Sequence, residues 1–188
     1  KTKANAFSVE DEMPTLIGEF KLLSVGRFTH AKNFDNVPEI CKYLLNSGLK
    51  VKWYLIGYGG DEAKIRESIQ KHNMQEHVII LGKKDNPYPY MKASDVYIQP
   101  SRFEGKAVTV REAQALGKPV IITNFATSNS QLENNIDGII VPLENQACAN
   151  GIKNVLENEL LRERLSNNCS LRDYSNQSEI NKLYALIE

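Results

Sequence analysis

No apolar run in these 188 residues approaches the roughly 20 needed to cross a bilayer, which excludes a membrane-spanning helix. A charge excess is also missing. Lys plus Arg and Asp plus Glu each number 23, so broad adhesion to nucleic acid or to an acidic membrane surface is excluded as the main business of the chain, since such binding scales with the phosphates neutralised. A local basic site stays open. Cysteine is scarce: Cys41, Cys148 and Cys169 are too far apart for C-x-x-C metal or redox spacing and are read as small buried hydrophobes in a reducing compartment. There is no Asp-x-Asp, and His30, His72 and His77 are scattered, so no metal site is expected. No signal peptide is visible at the start, but the chain opens at Lys1 rather than Met, which leaves an upstream segment open. Two glycosylation-type triplets, beginning at Asn168 and Asn176, are read as chance because nothing else points to secretion.

What is present is alternation. "KLLSVG" (21–26), "KVKWYLIG" (50–57), "HVIILG" (77–82), "DVYIQP" (95–100), "PVIITN" (119–124) and "GIIVP" (138–142) are short, β-branched and mostly continuous apolar runs, the pattern of strands covered on both faces. Between them lie "NFDNVPEICKYLLNSG", "DEAKIRESIQKHN", "YPYMKAS", "AVTVREAQALG", "SNSQLENN" and "NQACANGIKNVLENELLRERLSNN", with apolar residues at helical spacing. Gly48 and Gly117 stand where a helix ends. The alternation predicts an α/β fold, a doubly wound parallel sheet of about six strands with helices on both faces. Residues 1–20 read as an incoming linker, 21–188 as one Rossmann-like domain, and "YSNQSEINKLYALIE" as a terminal helix.

In such a sheet ligands lie off the carboxyl ends of the strands. The polar clusters "GRFTHAK", "GYGGDE", "GKKDN", "PSRFEGK" and "NFATS" all follow strands. After the first strand Gly26 turns the chain and Arg27 and Lys32 follow. Two cations over one sheet edge suit a diphosphate, and solvated surface charges are the alternative. His30 between them reads as a surface histidine. Neither G-x-G-x-x-G after strand one nor G-x-x-x-x-G-K-[ST] occurs, which disfavours a dinucleotide fingerprint and a phosphate loop. "GYGG" (57–60) is explained equally by a tight turn. A helix starting near Ala107 would aim its free amides at the ligand edge and favour an anion there. Glu104 and Glu112 would repel that anion but suit hydroxyl groups. Phosphate between hydroxyl-bearing groups describes a nucleotide sugar. Exposure on the helix, for Glu112, and a favourable place in the helix dipole, for Glu104, account for the same residues without a ligand.

From about Leu22 to about Glu144 the chain resembles the C-terminal, nucleotide-sugar-binding domain of retaining glycosyltransferases of family 4, group 1, enzymes of two-domain GT-B fold. "VGRFTHAKNF", "YLIGYGGDEAKI", the long "VIILGKKDNPYPYMKASDVYIQPSRFEGKAVTVREAQALGKPVIITN" and "NNIDGIIVP" carry the resemblance in the family's order and spacing. The resemblance implies that Arg27 and Lys32 hold the diphosphate and stabilise the leaving group, that Glu112 holds the ribose, and that Glu104 contacts the donor sugar, with Arg27, Lys32 and Glu104 the catalytic set. Backbone near Lys83 and Lys84 would frame the base, and that of Ala107, Val108 and Thr109 the phosphates. Gly26, Gly57, Gly105 and Lys106 complete the implied donor site. Where many members read E-G-F-G, this chain reads Glu104-Gly105-Lys106-Ala107, which leaves Lys106 as a third cation or a reader of a sugar substituent. Asn33 replaces a common glycine. The implied reaction is metal-independent, cofactor-free transfer of a sugar from a UDP- or GDP-linked donor to a glycan or lipid-linked acceptor. Its implied setting is bacterial surface polysaccharide synthesis, in the cytoplasm or at the inner face of its membrane, with an N-terminal acceptor domain that this chain has no room for. A nucleotide-sugar 2-epimerase and a non-catalytic nucleotide-binding module are the alternatives.

Overall fold

The computed structural model describes residues 15–174. Six strands form one parallel sheet: β1 (Phe20–Val25), β2 (Val51–Ile56), β3 (Val78–Gly82), β4 (Val96–Gln99), β5 (Val120–Thr123) and β6 (Ile139–Val141), in the order β3-β2-β1-β4-β5-β6. Each falls on an expected apolar run, because an all-parallel sheet buries both faces and therefore needs uninterrupted hydrophobes. The expected terminal helix lies outside the described residues from 175 onward, and so do the first 14 residues of the expected linker. The end of that linker is tied down: the Ile17 N–H donates to the Tyr54 hydroxyl, which donates in turn to the Ile17 carbonyl.

Successive strand residues point to opposite faces, and the core divides accordingly. Leu22, Trp53, Leu55, Ile98 and Ile121 face α1 (Val37–Asn46), α2 (Glu62–His72) and α5 (Asn145–Glu157) through Ile40, Leu44, Ile65 and Ile152. Leu23, Tyr54, Ile56, Tyr97 and Ile122 face α3 (Tyr88–Ala93) and α4 (Val108–Ala115) through Met91, Val110 and Ala113. Truncating any of the fully buried leucines or isoleucines to alanine should cost about 2–5 kcal/mol. The indole of Trp53 donates to the Ser24 hydroxyl, which donates to the Ile98 carbonyl, so the polar atoms between β2, β1 and β4 are satisfied inside the core.

Two expected helical stretches differ. The run 145–168 divides into α5 and α6 (Glu159–Leu171) at Asn158, whose extended backbone leaves the helix and whose side chain accepts the Leu161 N–H. An asparagine that can cap competes with continuing the helix. "SNSQLENN" gives only one 3-10 turn, Ser128–Ser130. Both helix-ending glycines adopt left-handed backbone, Gly48 at φ 91° and Gly117 at φ 69°.

Because every strand runs the same way, all their carboxyl ends share one edge. β1 has β2 on one side and β4 on the other, so the chain reverses its direction of winding there and opens a crevice between the loops that follow β1 and β4. Arg27 and Lys32 are on the first of those loops, and Glu104 on the second.

Candidate functional site

The loop after β1 is held by its aromatic residues. Phe28 and Phe34 are buried and meet edge to face, ring centres 5.7 Å apart. Short 3-10 turns at His30–Lys32 and Phe34–Asn36 join at Asn33, which takes left-handed backbone (φ 61°) and accepts from the Asn36 side-chain amide. That conformation explains why asparagine can stand where glycine is common. Burying the two phenylalanines leaves Arg27 exposed, with no hydrogen bond or ion pair to any described residue, and lays the stem of Lys32 over Gly26.

The loop after β4 is fastened to the first. Arg102 and Phe103 donate their N–H groups to the Ala31 carbonyl, and the Arg102 guanidinium makes a bidentate pair with Asp35, both bonds 2.9 Å, while also donating to the His30 carbonyl. Burial by itself would raise the Asp35 pKa, but the Arg102 bond and charge outweigh it and hold that carboxyl below its ordinary value. His30 is exposed and tilts against the Phe103 ring.

This clamp brings Lys32 and Glu104 together. The Lys32 ammonium donates to Glu104 Oε1 at 2.5 Å, with side chains only 20% and 8% exposed. The same oxygen accepts the Ser101 hydroxyl at 2.7 Å. Behind it, Gln99 donates from Nε2 to Ser101 Oγ, and Gln99 Oε1 accepts the Tyr97 hydroxyl at 2.8 Å and, at longer range, that of Thr109. The Tyr97 hydroxyl is also 3.3 Å from the Val25 carbonyl. Having one proton, it is assigned to the shorter bond. An ammonium has three donors, so Lys32 can keep Glu104 and still offer hydrogens to a phosphate.

At α4 the first backbone bond runs from Val110 N–H to the Ala107 carbonyl, so the amides of Val108 and Thr109 have no place in the helical ladder. The Ala107 amide is occupied by Gln131 Oε1, whose own Nε2 donates to the Gly105 carbonyl. That leaves the Val108 and Thr109 amides, rather than all three, open to an anion at this helix start. Glu112, one turn further on, accepts the Tyr88 hydroxyl from α3 at 2.9 Å. Burial first, then that bond and the carboxylate charge, push the Tyr88 phenol up to about 12. Lys106 stands exposed at the tip of the loop.

The other expected residues lie farther along the edge. Gly57 and Gly59 are where the β2 loop presses on the β1 loop: a Cβ on Gly57 would sit 1.8 Å from the Gly26 carbonyl oxygen, and one on Gly59 2.4 Å from that of Phe28. Lys83 pairs with Asp85, and Lys84 lies over the Tyr90 ring. Among the described residues no cluster of three or more His, Cys, Asp or Glu could hold a metal, and no helix is long and apolar enough to cross a membrane. Gln99, Ser101, Tyr88, Gln131 and the Asp35–Arg102 clamp were missed by the sequence reading. A signal for the first two did exist, since "QPS" puts polar residues at the end of a fully buried strand.

Clefts of about 340, 570 and 300 Å³ lie elsewhere on the domain.

The model of the family glycosyl transferases group 1 matches residues 12–172, a longer span than the Leu22–Glu144 motif run. Among curated relatives, UDP-Gal:alpha-D-GlcNAc-diphosphoundecaprenol alpha-1,3-galactosyltransferase of Escherichia coli is 28% identical over 80% of this chain and 40% of its own length. The capsular polysaccharide biosynthesis glycosyltransferase CapM of Staphylococcus aureus is 28% identical over 85% of this chain and 43% of its own. The chain thus spans about two-fifths of the length of these two relatives. A solved structure of S. aureus TarM, in complex with fondaparinux, alpha-GlcNAc-glycerol and UDP, superposes with a TM-score of 0.80 at 20% identity, covering 94% of this chain and 38% of that one, a likeness of fold. With the family model spanning nearly all the described residues and the paired cation and acid at the sheet's switch point, the chain belongs to the glycosyl transferases group 1 family.

Proposed function

We propose that this domain holds the nucleotide-sugar donor of a hexosyltransferase that moves a sugar, with retention at its anomeric carbon, onto a glycan or lipid-linked acceptor in bacterial surface polysaccharide synthesis. The observation that carries the reading is the Lys32–Glu104 contact in the switch-point crevice. It sets a phosphate-binding cation and a hydroxyl-binding acid side by side, as a sugar diphosphate requires. Supporting it, one relative's name specifies UDP-Gal as donor and a diphosphoundecaprenol acceptor, and the TarM complex contains UDP.

In this reading Arg27 and Lys32 grip the diphosphate, and the Val108 and Thr109 amides add the positive end of α4. As the glycosidic bond breaks, negative charge grows on the departing phosphate oxygen. Cations already fixed beside it stabilise that charge without reorganising. These residues supply the charge that a metal supplies elsewhere, so a chelator should leave transfer unchanged. Glu104 takes sugar hydroxyls and Glu112 takes those of the ribose, while Lys83 and Lys84 border the base. The acceptor belongs on a separate N-terminal domain of the same polypeptide, facing this sheet edge, with the reaction at the cytoplasmic face of the membrane.

The test is calorimetric titration of the domain with UDP, GDP and ADP, each bare and hexose-linked. One sugar-linked form should bind best. Arg27→Ala should weaken bare and linked forms alike by roughly ten- to a hundredfold, and Glu104→Gln should erase the preference for the linked form. Equal, weak binding of all six ligands would instead indicate a non-catalytic nucleotide-binding module.

A further inference from the structure

We infer that Gln99 and Ser101 are positioning residues for Glu104: they fix the direction of the hydrogen bonds behind its carboxylate, so that a single oxygen, Oε2, is presented to the ligand. This deepens the donor-site reading and rests on it. Both residues are fully buried, so neither is open to a ligand.

The direction follows from counting protons. A carboxamide oxygen only accepts and its NH₂ only donates. Gln99 Oε1 is taken by the Tyr97 hydroxyl and approached by that of Thr109, so the Gln99 amide must turn its Nε2 toward Ser101. Ser101 Oγ thereby accepts, and its one proton is left for Glu104 Oε1. Lys32 donates to that same oxygen. No described residue reaches Oε2. A buried carboxylate with one oxygen doubly bound cannot rotate without breaking both bonds, so the open oxygen keeps one direction and takes hydroxyl protons from that direction alone. Because Thr109 lies in the first turn of α4, the same chain of bonds links the phosphate end of the site to its sugar end. Satisfied buried networks of this kind rigidify what they hold.

The experiment measures, on the domain, the ratio of affinities for hexose-linked over bare nucleotide across the UDP, GDP and ADP pairs, with the thermal midpoint recorded for each variant. Ser101→Ala and Gln99→Met should each lower the ratio about fivefold, the effect of one misdirected hydrogen bond, while affinity for the bare nucleotide holds. In a Glu104→Gln background Ser101→Ala should have no further effect on the ratio, because the two act as one unit. Ser101→Ala alone strands the Gln99 amide, so stability could fall. The double variant Gln99→Met with Ser101→Ala removes the stranded Gln99 amide and leaves the Tyr97 hydroxyl the Val25 carbonyl, 3.3 Å away, as its acceptor, so it should recover the midpoint that Ser101→Ala loses while the ratio stays low. Recovery of the ratio together with the midpoint would mean a purely structural role and would overturn the inference. So would a ratio that falls in Glu104→Gln yet is untouched by Ser101→Ala and Gln99→Met. A ratio unmoved by Glu104→Gln, or no preference for any linked form in the parent domain, removes the donor-site reading, and the positioning role falls with it.

Discussion

Arg102 stands outside the proposed ligand site and yet decides where the ligand's partners stand. Its guanidinium joins Asp35 and the His30 carbonyl, and its N–H joins Ala31, so the loop carrying Lys32 and the loop carrying Glu104 are fastened together. Since the Asp35 carboxyl is held below its usual pKa by that contact, the ionised form favours the folded state. The contribution is whole above the unfolded carboxyl's pKa, about 4, and fades as pH drops through the lower folded value. Arg102→Ala should therefore lower the thermal midpoint at pH 7, and the gap from the parent should narrow steadily as pH falls from 5 to 3. A gap that is constant with pH would deny the Asp35 linkage. The three cysteines behave differently: all are buried, and burial raises Cys41 and Cys148 to about 12 and Cys169 to about 11, so they stay thiols and pack as apolar side chains, as their spacing suggested.

Among the elements, the loops matter more than the helices. Phe28 exchanges backbone bonds with Tyr58 and Asp61, and Gly26 donates to Ile56, which zips the β1 loop to the β2 loop. The contact is so close that Gly57, at φ 152°, has no room for a methyl group. Gly57→Ala combines that clash with a strained backbone and should cost more than about 2 kcal/mol, read as a lower urea midpoint. If stability holds but nucleotide affinity falls, Gly57 serves the ligand directly and not the loop. The sequence located "GYGG" as a turn, but not the loop it presses on, because that neighbour is some thirty positions upstream. Likewise Gln131 could not be assigned to the Ala107 amide, since "SNSQLENN" gives no periodic signal and its role depends on where the chain returns after β5.

For the molecule as a whole, the proposed site lies at one edge of the sheet, on a chain that spans about two-fifths of the length of the E. coli galactosyltransferase and of CapM. Sugar transfer needs water excluded and an acceptor held in line, and the residues proposed for the site are assigned to the donor alone. The domain by itself should bind its nucleotide sugar yet give no transfer above background in a nucleotide-release assay, whereas a polypeptide that includes an acceptor domain should turn over. Transfer by the 188 residues alone would place the acceptor site here.

The sequence by itself determined the alternation of strands and helices, hence the parallel doubly wound sheet, because burial on both faces leaves a periodic apolar imprint that needs no knowledge of neighbours. It also determined which loops carry charge, and its motif run pointed to the family. Only the tertiary structure decided that Lys32 meets Glu104, that Ser101 and Gln99 stand behind that acid, and that Tyr88 holds Glu112. Those are contacts across 24 to 72 positions or between strand end and loop, and a hydrogen bond depends on distance and direction in space, neither of which local periodicity encodes.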